Sequence, residues 1–352
     1  MNCHHTISYI NEFLDNMEQR NVPVFEINPG IGILSKELLL AGISSLYLCE
    51  PSSAFTKQIQ ILLTDFPAQA QLIDQDLLSL SKLSYQDKQD DGSRVQQLFA
   101  KVSKGDWTDD PVMVIVGTLP SITFIRHLIH CHIHQKGILS YGRPEFYVMM
   151  SPSNYFYLTC DRHDGYLYYR SISVFFQLIF QWNVLKKLPR KAFLPWEVKY
   201  SPKKWSKLTK IRNIDPEFLY LVRIVPHRDF FERIVKAEQL HQFWYFIWYH
   251  MVSRKNRVIP QLEKWIPGCG PRLIVRDMTI HTEFGDLTPH QILSLFHEFS
   301  SWPEYPDSPF LSSMETMLML MEQSGEESLK STVGDEDNIE DETIVEYQET
   351  ER

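Results

Sequence analysis

Residues 24–42 read VFEINPGIGILSKELLLAG. The segment VPVFEI has the unbroken apolar character of a buried strand, Gly30 and Gly32 turn the chain, and ILSKELLLAG resumes with helical spacing. Strand, glycine turn and helix in that order bring backbone close to whatever binds outside the strand's carboxyl end. Glu26 stands in the strand and Asn28 enters the turn.

Working outward, the same alternation repeats. A short amphipathic helix ending near Gln19 precedes the turn. SLYLCE gives a second strand ending on Glu50, AQAQLIDQD a third ending near Asp76, VMVIVGTLP a fourth containing Gly117, and EFYVMMS a fifth. Strands alternating with helices predict an α/β fold with a doubly wound, mostly parallel sheet. LPWEVKYSP and EFLYLVRIVP read as a closing pair of strands. Beyond Pro226 the pattern turns helical, which divides the chain into 1–228, a smaller helical domain at 229–321, and an acidic tail at 322–352 expected to be disordered. Acids at strand ends suit a nucleoside-type cofactor: Glu50 would accept from ribose hydroxyls, and Asp76 would meet an exocyclic amine. Glu26, Asn28, Gly30, Gly32, Glu50, Asp76 and Gly117 are therefore the candidate cofactor residues. A lone pair of glycines is more often plain turn chemistry; the ordered set of acids raises the cofactor reading above it.

The net charge of −9 is unevenly spread, because the last thirty-one residues hold twelve acids against two bases. The body is close to neutral, and within it residues 186–212 carry ten Lys or Arg against the single acid Glu197. Such a block is usually a solvated surface, but Trp196, Tyr200 and Trp205 interleave it, a pattern that suits single-stranded nucleic acid. Lys186, Lys187, Arg190, Lys191, Lys203, Lys204 and Lys207 are the candidate phosphate contacts, together with Arg254 and Arg257 of SRKNR. The longest apolar runs, SVFFQLIFQW and FWYFIWYHMV, fall well short of a membrane span of about 20 residues. Five cysteines without CxxC spacing fit a reducing compartment. HLIHCHIH, residues 127–134, offers metal-type donors but no second cluster to complete a site, so a packing helix is the expectation and no metal is assigned.

The turn places an acid before two glycines and lacks the third glycine of a dinucleotide fingerprint, and so resembles the first motif of S-adenosylmethionine-dependent methyltransferases. FEINPGIGILSKELLLAG is similar to the rRNA adenine N6-dimethyltransferase family. GRPEFYVMMSPSNY, FFQLIFQWNVLKKLPRKAFLPWEVKY, LYLVRIVPHRDFF and FWYFIWYHMVSRKNRVIPQLEKWI resemble successive blocks of that family in the same order, from about residue 7 to 305. The resemblance implies a Rossmann-like methyltransferase fold with a small helical C-terminal domain, S-adenosyl-L-methionine as cofactor, an RNA or DNA partner and a mitochondrial matrix address.

Two departures bear on function. The family's fourth motif is Asn-Leu-Pro-Tyr, whose amide and Pro carbonyl hold the target amine of a flipped adenine while the ring stacks on it. Here the stretch is Thr118, Leu119, Pro120 and Ser121, without amide or ring, and Phe124 is the one nearby aromatic that would have to replace the ring. Loss of this motif is typical of the family's transcription-factor branch, which implies mitochondrial RNA polymerase and promoter DNA as partners and a cofactor site that is vestigial. The alternatives are an enzyme dimethylating small-subunit rRNA and an rRNA-binding assembly factor without chemistry. The second departure lies ahead of the turn, where the family's basic segment and cofactor-closing motif have no counterpart; an N-terminally truncated sequence is the expectation, and it would explain the missing transit peptide.

Overall fold

The computed structural model describes residues 22–193 and 214–324. The helix expected near Gln19, the strand expected at LPWEVKYSP, the residues Lys203, Lys204 and Lys207, and the acidic tail from 325 onward lie outside the described residues.

Seven strands form one sheet in the order β3-β2-β1-β4-β5-β7-β6. They are β1 (Val24–Ile27), β2 (Leu46–Cys49), β3 (Ala70–Ile73), β4 (Met113–Leu119), β5 (Pro144–Met150), β6 (Phe180–Pro189) and β7 (Phe218–Pro226). The first five are parallel, and β7 runs antiparallel between β5 and β6. This is the expected α/β arrangement with one revision. The partner of β7 is Phe180–Pro189, which begins within the apolar run SVFFQLIFQW. SVFFQLIFQW breaks in two: the helix Ser171–Ile179 ends and the strand begins at Phe180 without a polar residue to mark the change.

The pleat of the central strands sends alternate side chains to opposite faces. Val24, Leu46, Leu48, Val114 and Val116 pack with Leu34, Leu38 and Ile59 from the helices Ile33–Leu40 and Ser53–Asp65. Phe25, Ile27, Ile115, Phe146 and Val148 face the other way, into a cluster that continues through the helix Thr123–Ile133 and the helical region to Met314. The aromatic helix Leu240–His250 enters that cluster with Phe243 and Phe246, and Phe243 meets Phe175 edge-on. The FWYFIWYH stripe is thus mostly core, with Trp248 and Tyr249 half-buried. His250 is fully buried and neutral: Nδ1 bonds the Phe246 carbonyl at 2.7 Å and Nε2 receives Trp265 Nε1–H at 3.1 Å. The helix Pro289–Ser301 opens on a capping box made by Thr288 and Gln291. The final helix, Pro309–Ser324, runs slightly past the expected start of the tail.

Candidate cofactor cradle and base-facing loop

The expected cofactor residues converge at the carboxyl ends of β1, β2, β3 and β4. Asn28, Gly30 and Gly32 all adopt positive φ, at 48°, 61° and 76°. Only glycine holds such angles without strain at two positions of one tight turn. A side chain at Gly30 would meet no protein atom within 4 Å, so this part of the turn faces open space where a ligand's backbone-facing edge fits. Gly117 has a different cause: at φ 142° its missing Cβ would come within 2.8 Å of the Ile27 carbonyl oxygen. It lets β1 and β4 close up beneath the site.

Glu50 ties the turn to β2. Its Oε2 accepts from Gly30 N at 2.9 Å and its Oε1 from Ser52 N at 2.8 Å, and the residue is almost fully buried. Each oxygen keeps a second lone pair for a ligand hydroxyl. Asp76 plays a similar double part, capping the turn Leu77–Ser79 through Leu78 N at 2.9 Å and Ser79 Oγ at 2.6 Å. Glu26 is the unusual member. It is buried beside Ser35, and its Oε2 has no hydrogen-bond partner. Burial pushes its carboxyl up to about 7; the Ser35 hydroxyl pulls it down and the Glu50 charge pushes it further up. An orphaned buried carboxylate oxygen next to an open glycine turn fits a cofactor that brings a cationic or N–H group. Cys49, between these acids, is pushed up to about 12 by burial and by the charges of Asp76 and Glu26, so it is an inert thiol. A separate cavity of about 380 Å³ on the β2–β3 side is lined by Tyr47, Gln71, Ile73, Arg94, Gln97 and Lys101, and touches none of the cradle residues.

The loop after β4 is organised otherwise. Thr118 and Pro120 are exposed at the strand end, while Leu119 is buried. The Ser121 hydroxyl is occupied with the start of the following helix, 3.1 Å from Thr123 Oγ1 and 3.3 Å from Thr123 N. Phe124 does not replace the absent ring: it is 2% exposed and packs edge-on against Phe146. The Pro120 carbonyl accepts from Asn154 Nδ2 at 3.1 Å, a contact between positions 34 residues apart that no sequence pattern announced.

Comparison with known proteins places the chain in a family. The chain matches the ribosomal RNA adenine dimethylase family over residues 7–301. The chain belongs to that family. It is 38% identical to the mitochondrial dimethyladenosine transferase 2 of Drosophila melanogaster, over 96% of this chain and 84% of that protein. Its fold is shared with a dimethyladenosine transferase of Plasmodium falciparum, TM-score 0.54 at 13% identity over 83% of this chain and 95% of that one. The 23S rRNA methyltransferase ErmE gives TM-score 0.52 at 14% identity, over 84% and 97%. The methyltransferase fold expected from the glycine turn is therefore the fold of the chain.

The expected nucleic-acid residues separate in this family fold. Lys186 is half-buried on β6, and Lys191 is exposed beyond it. Lys187 is paired with Asp215 at 2.5 Å and lies over the Tyr220 ring. Arg190 is half-buried, and its Nε has no partner. Arg257 is exposed. Arg254 corrects the sequence reading: it is 9% exposed, stacks on Tyr166 and donates to the Leu167 carbonyl at 3.2 Å. Its guanidinium holds two loops together instead of facing a phosphate. Among the described residues, no group of three or more His, Cys, Asp or Glu side chains is arranged to hold a metal. The histidine helix does acquire an unforeseen neighbour, since His134 Nδ1 lies 3.2 Å from His241 Nε2. No described helix is long and apolar enough to cross a membrane.

Proposed function

We propose that this chain is a transcription initiation factor of the mitochondrial matrix built on the dimethylase fold, assisting mitochondrial RNA polymerase by holding melted promoter DNA. The observation that carries the reading is the loop after β4. An amide and a ring are absent at Thr118 and Ser121, the Ser121 hydroxyl is turned to its own helix, Phe124 is locked in the core, and Asn154 occupies the Pro120 carbonyl. A target amine would find little to orient it for chemistry. The kinship to a relative named for mitochondria supports the address.

In this reading Lys186, Lys191 and Arg257, with the basic residues of 194–212, supply phosphate contacts that position a single strand, and melting is driven by stabilising the opened strand. S-adenosyl-L-methionine, when bound, supplies an electrophilic methyl group. Glu26, Glu50, Asp76 and the Gly30–Gly32 backbone would hold it. Glu26 offers a buried negative charge, Glu50 and Asp76 offer spare lone pairs, and the helix that follows Gly32 anchors the turn.

A second reading, dimethylation of adjacent adenines in small-subunit rRNA, draws support from the cradle, whose backbone angles and acid positions suit a working cofactor site.

The test runs transcription by a mitochondrial RNA polymerase on duplex and pre-melted promoters beside methyl transfer on small-subunit rRNA. Dependence on the protein for the duplex alone, with methylation slow or absent, is expected; robust dimethylation without effect on initiation would reverse the assignment. Binding to bubble DNA should weaken with salt at a log–log slope of about −0.7 per neutralised phosphate, near −3 for about four. Changing Lys203, Lys204 and Lys207 to Glu should flatten that slope; an unchanged slope would move the binding face elsewhere.

A further inference from the structure

Asn154 stands at the third position of the helix Pro152–Thr159, where the Ser151 hydroxyl accepts its backbone N–H at 3.2 Å. Leu119 of β4 and Met150 of β5 are register partners, so the Pro120 loop and the start of this helix lie side by side at adjacent strand ends. Across that gap Asn154 Nδ2 donates to the Pro120 carbonyl at 3.1 Å. A carbonyl only accepts, which fixes the side-chain amide with its nitrogen toward Pro120. One N–H is thereby anchored. The second N–H and the Oδ1 oxygen remain, and no described residue hydrogen-bonds Oδ1.

We propose that Asn154 is a base-reading residue, its anchored amide receiving an unpaired adenine at the exposed Thr118–Pro120 ledge in place of the amide that Thr118 lacks. An oxygen acceptor beside an N–H donor, fixed in one plane, complements an amino group beside a ring nitrogen. Adenine presents that pair on two edges, at N6 with N7 and at N6 with N1; cytosine presents it on one. Guanine's N7 and O6 are both acceptors and leave the amide oxygen unpaired on that edge, but its N1–H beside O6 meets the amide on the Watson–Crick edge. The contact therefore discriminates against a base without a donor–acceptor pair, such as purine, and not against guanine. Ordering is already supplied by the Pro120 contact and by the helix start, so little side-chain entropy is lost when a base arrives. The base is held from the β5 side, next to the strand end from which the family grips it, an arrangement that suits retention of an unpaired base over alignment of its amine for methyl transfer. The inference rests on the reading of this face as one that takes single strands.

The test uses the full chain and short single-stranded oligonucleotides, in DNA and RNA versions, with one adenine replaced in turn by cytosine, guanine or purine, the base without the amino group. The wild type should bind the adenine form about 5-fold to about 150-fold more tightly than the purine form, the range for one bidentate side-chain contact. Cytosine should fall between them. Asn154→Ala should erase this ratio while leaving the salt dependence and the melting temperature in place. In the wild type, the side-chain amide resonances of Asn154 should shift with the adenine oligonucleotide and stay with the purine one. The DNA and RNA arms tell which strand supplies the base. Equal wild-type binding of adenine and purine, or an unchanged ratio in Asn154→Ala, overturns the proposal. A failure of promoter-dependent transcription with the ratio intact would instead count against the initiation-factor reading alone.

Discussion

The turn after β1 and the loop after β4 are next-door neighbours, Ile27 lying beside Gly117 in the sheet, yet they are organised in opposite ways. In the first, side-chain carboxylates hold backbone N–H groups, three residues take positive φ, and one buried carboxylate oxygen is left without a partner. That is a surface kept incomplete. In the second, two polar groups are turned inward: the Ser121 hydroxyl to Thr123, and the Pro120 carbonyl to Asn154. On the proposed reading, the contrast means that the two halves of a methyltransferase site diverge independently. Cofactor affinity depends on backbone shape that the sheet itself maintains, whereas orientation of a target base depends on two side chains that substitution removes without disturbing the fold.

The comparison can be broken most severely at the residue the two regions share. Gly117→Ala would push a Cβ to within 2.8 Å of the Ile27 carbonyl oxygen, and the resulting strain and overpacking should cost about 2–5 kcal/mol of stability. Cradle and loop would be lost together, read as a drop in urea midpoint and in binding of both ligands; an unchanged midpoint would show that the strands separate freely.

The next effect isolates the cradle. In the fold Glu26 keeps its proton up to about 7, against 4.5 for an ordinary glutamate, so its contribution to stability is complete below pH 4.5 and is lost as pH rises through about 7. The total is about 3 kcal/mol in the protein without ligand. Glu26→Gln should remove this dependence. The comparison is between wild type and variant at each pH, because buried His132 and His250, each lowered to about 3 by burial, tilt the whole curve the other way below pH 6.5. Identical curves would mean that Glu26 is solvated. Ligand binding should strengthen through the same window if a cationic group meets the ionised carboxylate.

Glu50→Ala should weaken cofactor binding by about 1.5–3 kcal/mol, the scale of a charged hydrogen bond, with calorimetry as the measure. No detectable S-adenosylmethionine binding to the wild type would remove the premise that the cradle is preserved. The smallest energetic change, though the sharpest test of the contrast, is the double substitution Thr118→Asn and Ser121→Tyr. It should raise methyl transfer while leaving cofactor affinity where it was. A gain in affinity instead would show that the two regions are coupled.

The cradle was legible in the sequence because its parts are local: an acid, two glycines and strand-end acids each follow from the spacing of strands and turns. β6 was not, since the apolar run at 173–182 carries no signal for the change from helix to strand. Arg254 was misread because a basic run looks solvated until Gly285 and Tyr166 are seen to enclose it. Asn154 and His241 were invisible for a topological reason, their partners lying 34 and 107 positions away in the chain. The first pair meets at the adjacent ends of β4 and β5 and the second where two helices approach, and composition holds no record of either.

The buried cluster running from Phe25 to Met314 has an evolutionary corollary. A helical appendage joined by a polar seam can be exchanged between relatives like a cassette. Here a recombination point near residue 228 would part Phe175 on one fragment from Phe243 on the other, leaving each a substrate for chaperones and proteases. The two halves are therefore expected to be inherited as one block, and new partners to be acquired through surface loops and tails instead of by shuffling.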